Sequence, residues 1–142
     1  MDLSIKLENT VLYIRASLLI RGRKGYLFEK SSKGYLRTIG GKVKLNESSL
    51  EAVTREVEEE LGFIPKDLTL KAILENFYSN NGEDVHEICF VYETKESYQL
   101  KIPENIIEVS KEEINNYDLR PKPIADLIRS SDTSFKSIIV KS

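Results

Sequence analysis

The sequence is poor in the residue types that build disulfides and zinc sites. Its 142 residues include one cysteine, Cys89, one histidine, His86, and no tryptophan. A single cysteine excludes an internal disulfide, and a single histidine with a single cysteine cannot build the usual zinc site. Because Cys89 sits in an apolar segment, we predict that it is a small buried side chain.

Long hydrophobic runs and an excess of positive charge are also missing. No segment approaches the roughly 20 apolar residues of a membrane helix, and the first ten residues do not resemble a signal peptide. The net charge of −2 provides no basic surface of the kind that binds nucleic acid. We therefore expect one cytoplasmic domain over residues 1–142, a monomer or homodimer, with no membrane or nucleic-acid partner.

Alternating apolar residues and turn signals predict strands on both sides of one acidic helix. A hairpin turn is expected at Asn80-Asn81-Gly82, a capped helix start at Ser110, and a final helix over 123–128. This order of elements predicts a mixed sheet between helices. The predicted strands span 3–8, 10–21, 26–29, 35–39, 68–78, 85–93 and 107–109.

The acidic helix is predicted over 48–61. Ser48 followed by Glu51 has the spacing of a capping box, and Gly62 is expected to end the helix in the left-handed conformation. Apolar residues at helical spacing form one stripe that should face the core. These residues are Leu50, Val53, Val57 and Leu61.

Three glutamates of this helix, Glu56, Glu59 and Glu60, fall within about one quadrant of its surface. Like charges three or four residues apart destabilise a helix by about 0.2–0.5 kcal/mol per pair, and acidic groups near its C-terminus oppose the dipole. A solvated glutamate-rich helix is one interpretation. A divalent cation such as Mg²⁺, which prefers carboxylate oxygens, would remove the conflict.

The segment from Gly41 to Phe63 adds a spacing that favours the cation. It reads GKVKLNESSLEAVTREVEEELGF and matches G-x5-E-x7-R-E-U-x-E-E-x-G-U, where U is aliphatic or aromatic, at every fixed position. The chain thus resembles the Nudix hydrolases, which cleave nucleoside diphosphates linked to another moiety X. The resemblance implies an α/β (α+β) fold of the α/β/α sandwich type and a requirement for Mg²⁺ or Mn²⁺.

The resemblance also implies roles for individual residues. Metal ligands would be Glu56, Glu59, Glu60 and the backbone carbonyl of Gly40. Arg55 would orient a catalytic glutamate, and the general base would be Glu56 or Glu59. Structural positions that brace the loop and helix would be Glu47, Gly41 and Gly62.

Other positions differ from relatives or stay open. Many relatives have Glu and Gly where this chain has Lys44 and Asn46. Lys44 and Arg37 are candidates for binding a substrate phosphate, although either side chain could simply lie in solvent. Relatives often carry another glutamate beyond the motif; the candidates here are Glu87, Glu104 and Glu112, and the sequence does not decide among them.

The sequence therefore predicts an enzyme that hydrolyses a pyrophosphate bond in a nucleotide derivative by water attack on phosphorus. Its partner would be a small phosphorylated molecule, and the signature does not specify X. The alternative is a non-catalytic Nudix domain that binds a nucleotide as a sensor or regulatory module. That class typically lacks some of the glutamates that this chain retains.

Overall fold

The structure, a computed structural model, describes residues 1–141. It contains nine strands, two α-helices and one short 3₁₀ helix. The strands are β1 Ser4–Leu7, β2 Thr10–Arg21, β3 Tyr26–Lys30, β4 Leu36–Lys42, β5 Thr69–Asn80, β6 Glu83–Ser97, β7 Ile106–Val109, β8 Leu119–Arg120 and β9 Lys136–Lys141. The helices are α1 Ser49–Leu61, the 3₁₀ helix Lys111–Asn116 and α2 Pro123–Arg129.

The strands form one mixed sheet, as predicted. Seven of them follow the order β7-β3-β4-β2-β6-β5-β9, while β1 pairs with β2 and β8 pairs with β4. The pairs β2–β6, β5–β9 and β4–β8 are parallel. The remaining pairs are antiparallel. Strand β2 therefore lies at the centre of the molecule, between β4 and β6.

Helices cover both faces of this sheet. On one face, α1 packs through Val53 and Val57 against a core cluster that contains Leu18 and Ile39. On the other face, the 3₁₀ helix and α2 contribute to a second cluster with Phe28, Leu74, Cys89 and Val91. The α/β/α sandwich is confirmed, and Cys89 is buried as predicted.

Helix α1 has the predicted ends. The side chain of Ser48 accepts a hydrogen bond from the Glu51 amide at 3.0 Å, and the Glu51 carboxylate accepts one from the Ser48 amide at 3.3 Å. Gly62 has a φ of 73°, and its amide donates to the Glu58 carbonyl at 2.9 Å. The assignment of Leu50 to the buried stripe was wrong, because it is 47% exposed.

Other boundaries differ at places where tertiary packing decides. Ser110 makes no side-chain cap, and the segment after it forms a 3₁₀ helix instead of an α-helix. Strands β8 and β9 were not predicted. Each is short and forms its inter-strand hydrogen bonds with a longer neighbour, β4 or β5. The hairpin turn between β5 and β6 was correct, with Asn81 and Gly82 both at positive φ.

Within residues 1–141, no helix has both the length and the apolar character needed to cross a membrane.

Candidate active site

The loop that joins β4 to α1 brings the motif residues together. Gly40 and Gly41 lie at the end of β4 and pair with Ser17 and Ala16 of β2. Asn46 has a φ of 66°, a conformation that asparagine tolerates better than most residues. The loop therefore keeps a tight path although it lacks the glycine that many relatives have at this position.

Glu47 and Arg55 form a two-pronged ion pair that fixes this loop against α1. Arg55 donates from Nε to Glu47 Oε2 at 2.7 Å and from Nη2 to Glu47 Oε1 at 2.9 Å. Glu47 Oε1 also accepts the Lys44 amide at 2.9 Å, and Arg55 reaches the Lys42 carbonyl at 3.2 Å. These hydrogen bonds, those from Arg55 first, lower the pKa of Glu47 to about 2. Arg55 therefore connects the start of the loop, at Lys42, with its end, at Glu47.

The remaining guanidinium nitrogen of Arg55 faces two glutamates. Its Nη1 donates to Glu56 Oε1 at 2.8 Å and makes a longer contact of 3.4 Å with Glu59 Oε1. The side chain of Glu56 is 17% exposed and that of Glu59 is 56% exposed. A Cβ at Gly41 would overlap the Glu56 carboxylate. Glycine at this position therefore lets Glu56 lie directly against the backbone.

Glu60 lies on the sheet side of these glutamates. Burial, together with the negative charges of Glu29 and Glu56, raises the pKa of its carboxyl to about 8, although Arg15 opposes the shift. Its Oε2 is buried and has no hydrogen-bond partner among the residues that the structure describes. Glu60 is therefore not part of a solvated helix face, which was the alternative interpretation of these glutamates. A buried acidic oxygen without a partner is a group that a cation would satisfy.

The residues fit a divalent metal. Within residues 1–141, no three His, Cys, Asp or Glu side chains are already arranged around one metal position. The donor set is nevertheless made only of oxygen, as Mg²⁺ and Mn²⁺ prefer. The unpartnered Glu60 Oε2 and the space left by Gly41 beside Glu56 support the fit. The ligand roles of Glu56, Glu59, Glu60 and the Gly40 carbonyl stay predictions.

The three candidates for a further ligand lie in separate places. Glu87 is on β6 and only 5% exposed, and its neighbours across the strands are Tyr13 and Asn76. Glu104 is exposed before β7, and Glu112 is exposed in the first turn of the 3₁₀ helix. None belongs to a group of acidic residues that could hold a metal in the described chain.

The two candidates for phosphate binding differ in their surroundings. Lys44 is exposed. Arg37 donates from Nη2 to Glu29 Oε1 at 3.1 Å, and its buried Nε has no partner within residues 1–141. Since Glu29 also raises the pKa of Glu60, Arg37 stands beside the acidic site.

Sequence reasoning missed the polar residues of β2. Arg15 donates to the Thr38 carbonyl at 2.9 Å and influences the pKa of Glu60. The Nζ of Lys42 lies 4.4 Å from the centre of the Tyr13 ring. Tyr13 and Arg15 at alternate positions of an otherwise apolar central strand were the signal that could have revealed this polar surface.

Comparison with known proteins identifies the family. The NUDIX domain model matches residues 9–129. A search of curated proteins found no match. Among solved structures, the chain is similar to a MutT protein from Bacillus halodurans at 21% identity, covering 89% of each chain with a TM-score of 0.68.

Two other structures widen the comparison. The Ap4A hydrolase of C. elegans is 17% identical over 83% of this chain and 94% of its own, with a TM-score of 0.60. An ADP-ribose pyrophosphatase from Streptococcus suis is 17% identical over 88% of this chain and 98% of its own, with a TM-score of 0.55. These structures agree with the observed mixed sheet and its flanking helices. With the family match over residues 9–129, they show that the chain belongs to the Nudix family of hydrolases.

Proposed function

We propose that this protein is a metal-dependent pyrophosphohydrolase that cleaves a nucleoside diphosphate linked to another moiety X. The observation that carries the proposal is the Arg55 network. One guanidinium is joined to Glu47 through two nitrogens and to Glu56 through the third. The proposal assigns this arrangement to orientation of a catalytic carboxylate, because a planar fork fixes the direction of the groups that it binds.

Within this site we assign the role of general base to Glu56. Arg55 occupies its Oε1 at 2.8 Å, which leaves Oε2 able to accept a proton from the attacking water. The carboxylate lies against Gly41, so its position is restricted from two sides. Glu59 is more exposed and its contact with Arg55 is longer, which suits a side chain that completes its coordination when a cation binds.

A bound Mg²⁺ or Mn²⁺ would neutralise the diphosphate and make the attacking water more acidic. Glu59 and Glu60 would hold it together with Glu56 and the Gly40 carbonyl. Glu47 would keep Arg55 in place, since the ion pair connects the loop with α1. Each of these residues acts by holding a group in position before the reaction, which is where preorganised charge has its largest effect on rate.

The substrate phosphates would approach over the cationic side chains beside this site. Arg37 is the first candidate, because its Nε is unpartnered within residues 1–141 and its partner Glu29 influences Glu60. Arg15 and Lys42 are cross-strand neighbours next to the glycines. Lys44, which is exposed, would contribute only to long-range attraction of the anionic substrate.

The test is a screen of purified protein against nucleoside triphosphates, nucleotide sugars, dinucleoside polyphosphates and other phosphorylated metabolites, with Mg²⁺ and Mn²⁺ in parallel. Released phosphate or pyrophosphate is the readout. We expect turnover of a nucleotide derivative that stops in excess EDTA and returns when Mg²⁺ is restored. Binding without turnover across the panel would favour the sensor module instead, and full turnover in EDTA would contradict the metal site.

The compartment, the domain and the oligomeric state are proposed from the sequence alone. We propose that residues 1–142 form one catalytic domain in the cytoplasm, acting as a monomer or homodimer on a small phosphorylated molecule. A mass measurement in solution at several protein concentrations distinguishes the two oligomeric states. Comparison of Mg²⁺ and Mn²⁺ at equal concentration identifies the ion that supports the higher kcat/KM.

A further inference from the structure

A buried carboxylate lies on the sheet outside the proposed reaction centre. Glu87, on β6, is 5% exposed. Its cross-strand neighbours are Tyr13 on β2 and Asn76 on β5. Because paired residues project from the same face of a sheet, these three side chains form one surface. Their alternation with core residues such as Cys89 places them on the face opposite α1.

Glu87 has no cationic partner in the described chain. No salt bridge to its carboxylate occurs within residues 1–141. Arg15, two residues along β2 from Tyr13, donates to the Thr38 carbonyl instead. The ammonium of Lys42 lies over the Tyr13 ring. A buried charge is usually paired because its desolvation is costly, and an exception to such a rule is typical of a functional position.

Two tyrosine hydroxyls complete the surface. The hydroxyls of Tyr13 and Tyr78 are hydrogen-bonded to each other, and Tyr13 is the cross-strand neighbour of Glu87. Burial, followed by the charge of Glu87, raises the pKa of Tyr13 far above its usual value. Both rings are only partly buried. At neutral pH the cluster therefore contains protonated hydroxyls around one carboxylate that can accept hydrogen bonds.

This cluster borders the apolar core of the same face. Leu74, Cys89 and Val91 belong to the core cluster that contains α2, and Asn76 and Glu87 are the next positions on the same face of β5 and β6. Arg15 lies two residues from Tyr13 on the same face of β2 and opposes the raised pKa of Glu60. At about 3.3 Å per residue, Tyr13 and Arg15 are about 7 Å apart along the strand, a distance that a sugar or nucleoside can span from the phosphates.

We propose that Glu87, Tyr13 and Tyr78 bind the moiety X, or the nucleoside, through two adjacent hydrogen-bond donors on it. The proposal rests on the pyrophosphohydrolase function, and it identifies the part of the substrate that this chain selects. The carboxylate of Glu87 has two parallel acceptor oxygens. A group with two neighbouring N–H or O–H donors complements them. Two sources share this chemistry, the N1–H and N2–H edge of guanine and the vicinal hydroxyls of a sugar.

The experiment measures kcat and KM for matched substrate pairs in the wild-type protein. The base arm compares guanosine, inosine and xanthosine triphosphates, since inosine lacks the N2 amine and xanthosine replaces it with an acceptor oxygen. The sugar arm compares ADP-glucose with ADP-2-deoxyglucose, which lacks one hydroxyl of the diol. We expect the donor-bearing member of one arm to be preferred by about tenfold or more in kcat/KM.

Glu87→Gln is the diagnostic variant, because it keeps the shape and replaces one acceptor oxygen with a donor. It should remove the preference mainly through KM. In the base arm it should also favour xanthosine over guanosine, since the new amide N–H complements the acceptor oxygen. Glu75→Gln is the matched control, because Glu75 lies on β5 one residue before Asn76 and so on the opposite face. It should leave both ratios unchanged.

Several results would overturn the proposal. One is equal kcat/KM within both pairs for the wild-type protein, and another is an unchanged ratio in a folded Glu87→Gln variant. If Glu87→Gln does not fold, Tyr78→Phe replaces it and should reduce the same preference. If the wild-type protein turns over no substrate, the proposed hydrolase function fails. Calorimetric binding of the same pairs with Mg²⁺ then decides whether the cluster selects donors, and equal binding refutes it.

Discussion

The Arg55 network and the Glu87 cluster are two acidic regions that differ in whether their carboxylates have a cationic partner. Arg55 contacts Glu47, Glu56 and Glu59, so one cation serves three carboxylates close to it in sequence. Glu87 has Tyr13 and Asn76 as its cross-strand neighbours. The first region keeps an excess of negative charge that Arg55 orients, which suits a cation. The second has no cationic partner within residues 1–141, which suits a ligand that brings hydrogen-bond donors.

The comparison predicts that loss of charge in the reaction centre is the most damaging change. Glu59→Gln and Glu60→Gln should each lower kcat by about 10²-fold or more, because each removes a charge that holds the cation. The melting temperature in metal-free buffer should stay equal or rise, since Glu59→Gln relieves like-charge repulsion and Glu60→Gln replaces a carboxyl whose pKa is already raised to about 8, mainly by burial. Steady-state kinetics and thermal melts measure the two effects.

Glu58→Gln is the control for these variants, because Glu58 is exposed on the same helix. It should retain the wild-type kcat. Near-normal turnover in both Glu59→Gln and Glu60→Gln would show that the reaction centre lies elsewhere.

Two neighbouring glycines should separate catalysis from stability. In Gly41→Ala the new Cβ overlaps only the flexible end of Glu56, so we expect kcat to fall by about tenfold as the base moves while stability changes little. In Gly40→Ala the Cβ overlaps the backbone of Ala16 at a φ of +153°. This variant should lose about 1–3 kcal/mol of unfolding free energy.

Kinetics together with urea denaturation of both variants provide the measurement. A Gly41→Ala protein with unchanged kcat would mean that the position of Glu56 against the backbone has no catalytic importance.

The ion pair of Glu47 should make stability depend on pH. Its pKa is lowered from 4.5 to about 2 in the folded protein, so the stabilisation is complete above about pH 4.5 and is lost as the pH falls toward 2. Glu47→Gln should be less stable than wild type at pH 7, and the difference should shrink through this window. Urea midpoints from pH 7 to pH 3 test it, with Glu58→Gln as control. A difference that is constant with pH would exclude this linkage.

The smallest expected effect is stabilisation by metal alone. Binding to the folded state contributes RT ln(1 + [L]/Kd), which is about 1.4 kcal/mol at tenfold excess over Kd. Mn²⁺ should act at lower concentration than Mg²⁺. Melting temperature against metal concentration should rise for wild type and rise less for Glu60→Gln. Identical curves for the two proteins would place the ion outside the glutamates of α1.

Local patterns in the sequence predicted the structure well wherever neighbouring residues decide it. The hairpin turn at Asn81 and both caps of α1 were confirmed, because each depends on hydrogen bonds or backbone preferences within a few residues. The bounds of β2 were confirmed as well, since its apolar, β-branched run favours a strand. Leu50 and the segment after Ser110 were wrong, because periodicity does not show where the partner surface ends. The metal and catalytic roles stay predictions.

The sequence by itself determined the acidic helix, its caps and the i,i+4 spacing that places Arg55 beside Glu59, because a helix converts sequence separation directly into geometry. Only the tertiary structure decided that Glu60 is partly buried near Glu29, that Arg37 pairs with that same glutamate, and that Glu87 lies between Tyr13 and Asn76. The physical reason is register. Strands far apart in the chain pair through backbone hydrogen bonds, which are the same for every residue type and so do not specify the partner strand. The alignment of the paired strands then decides which side chains meet.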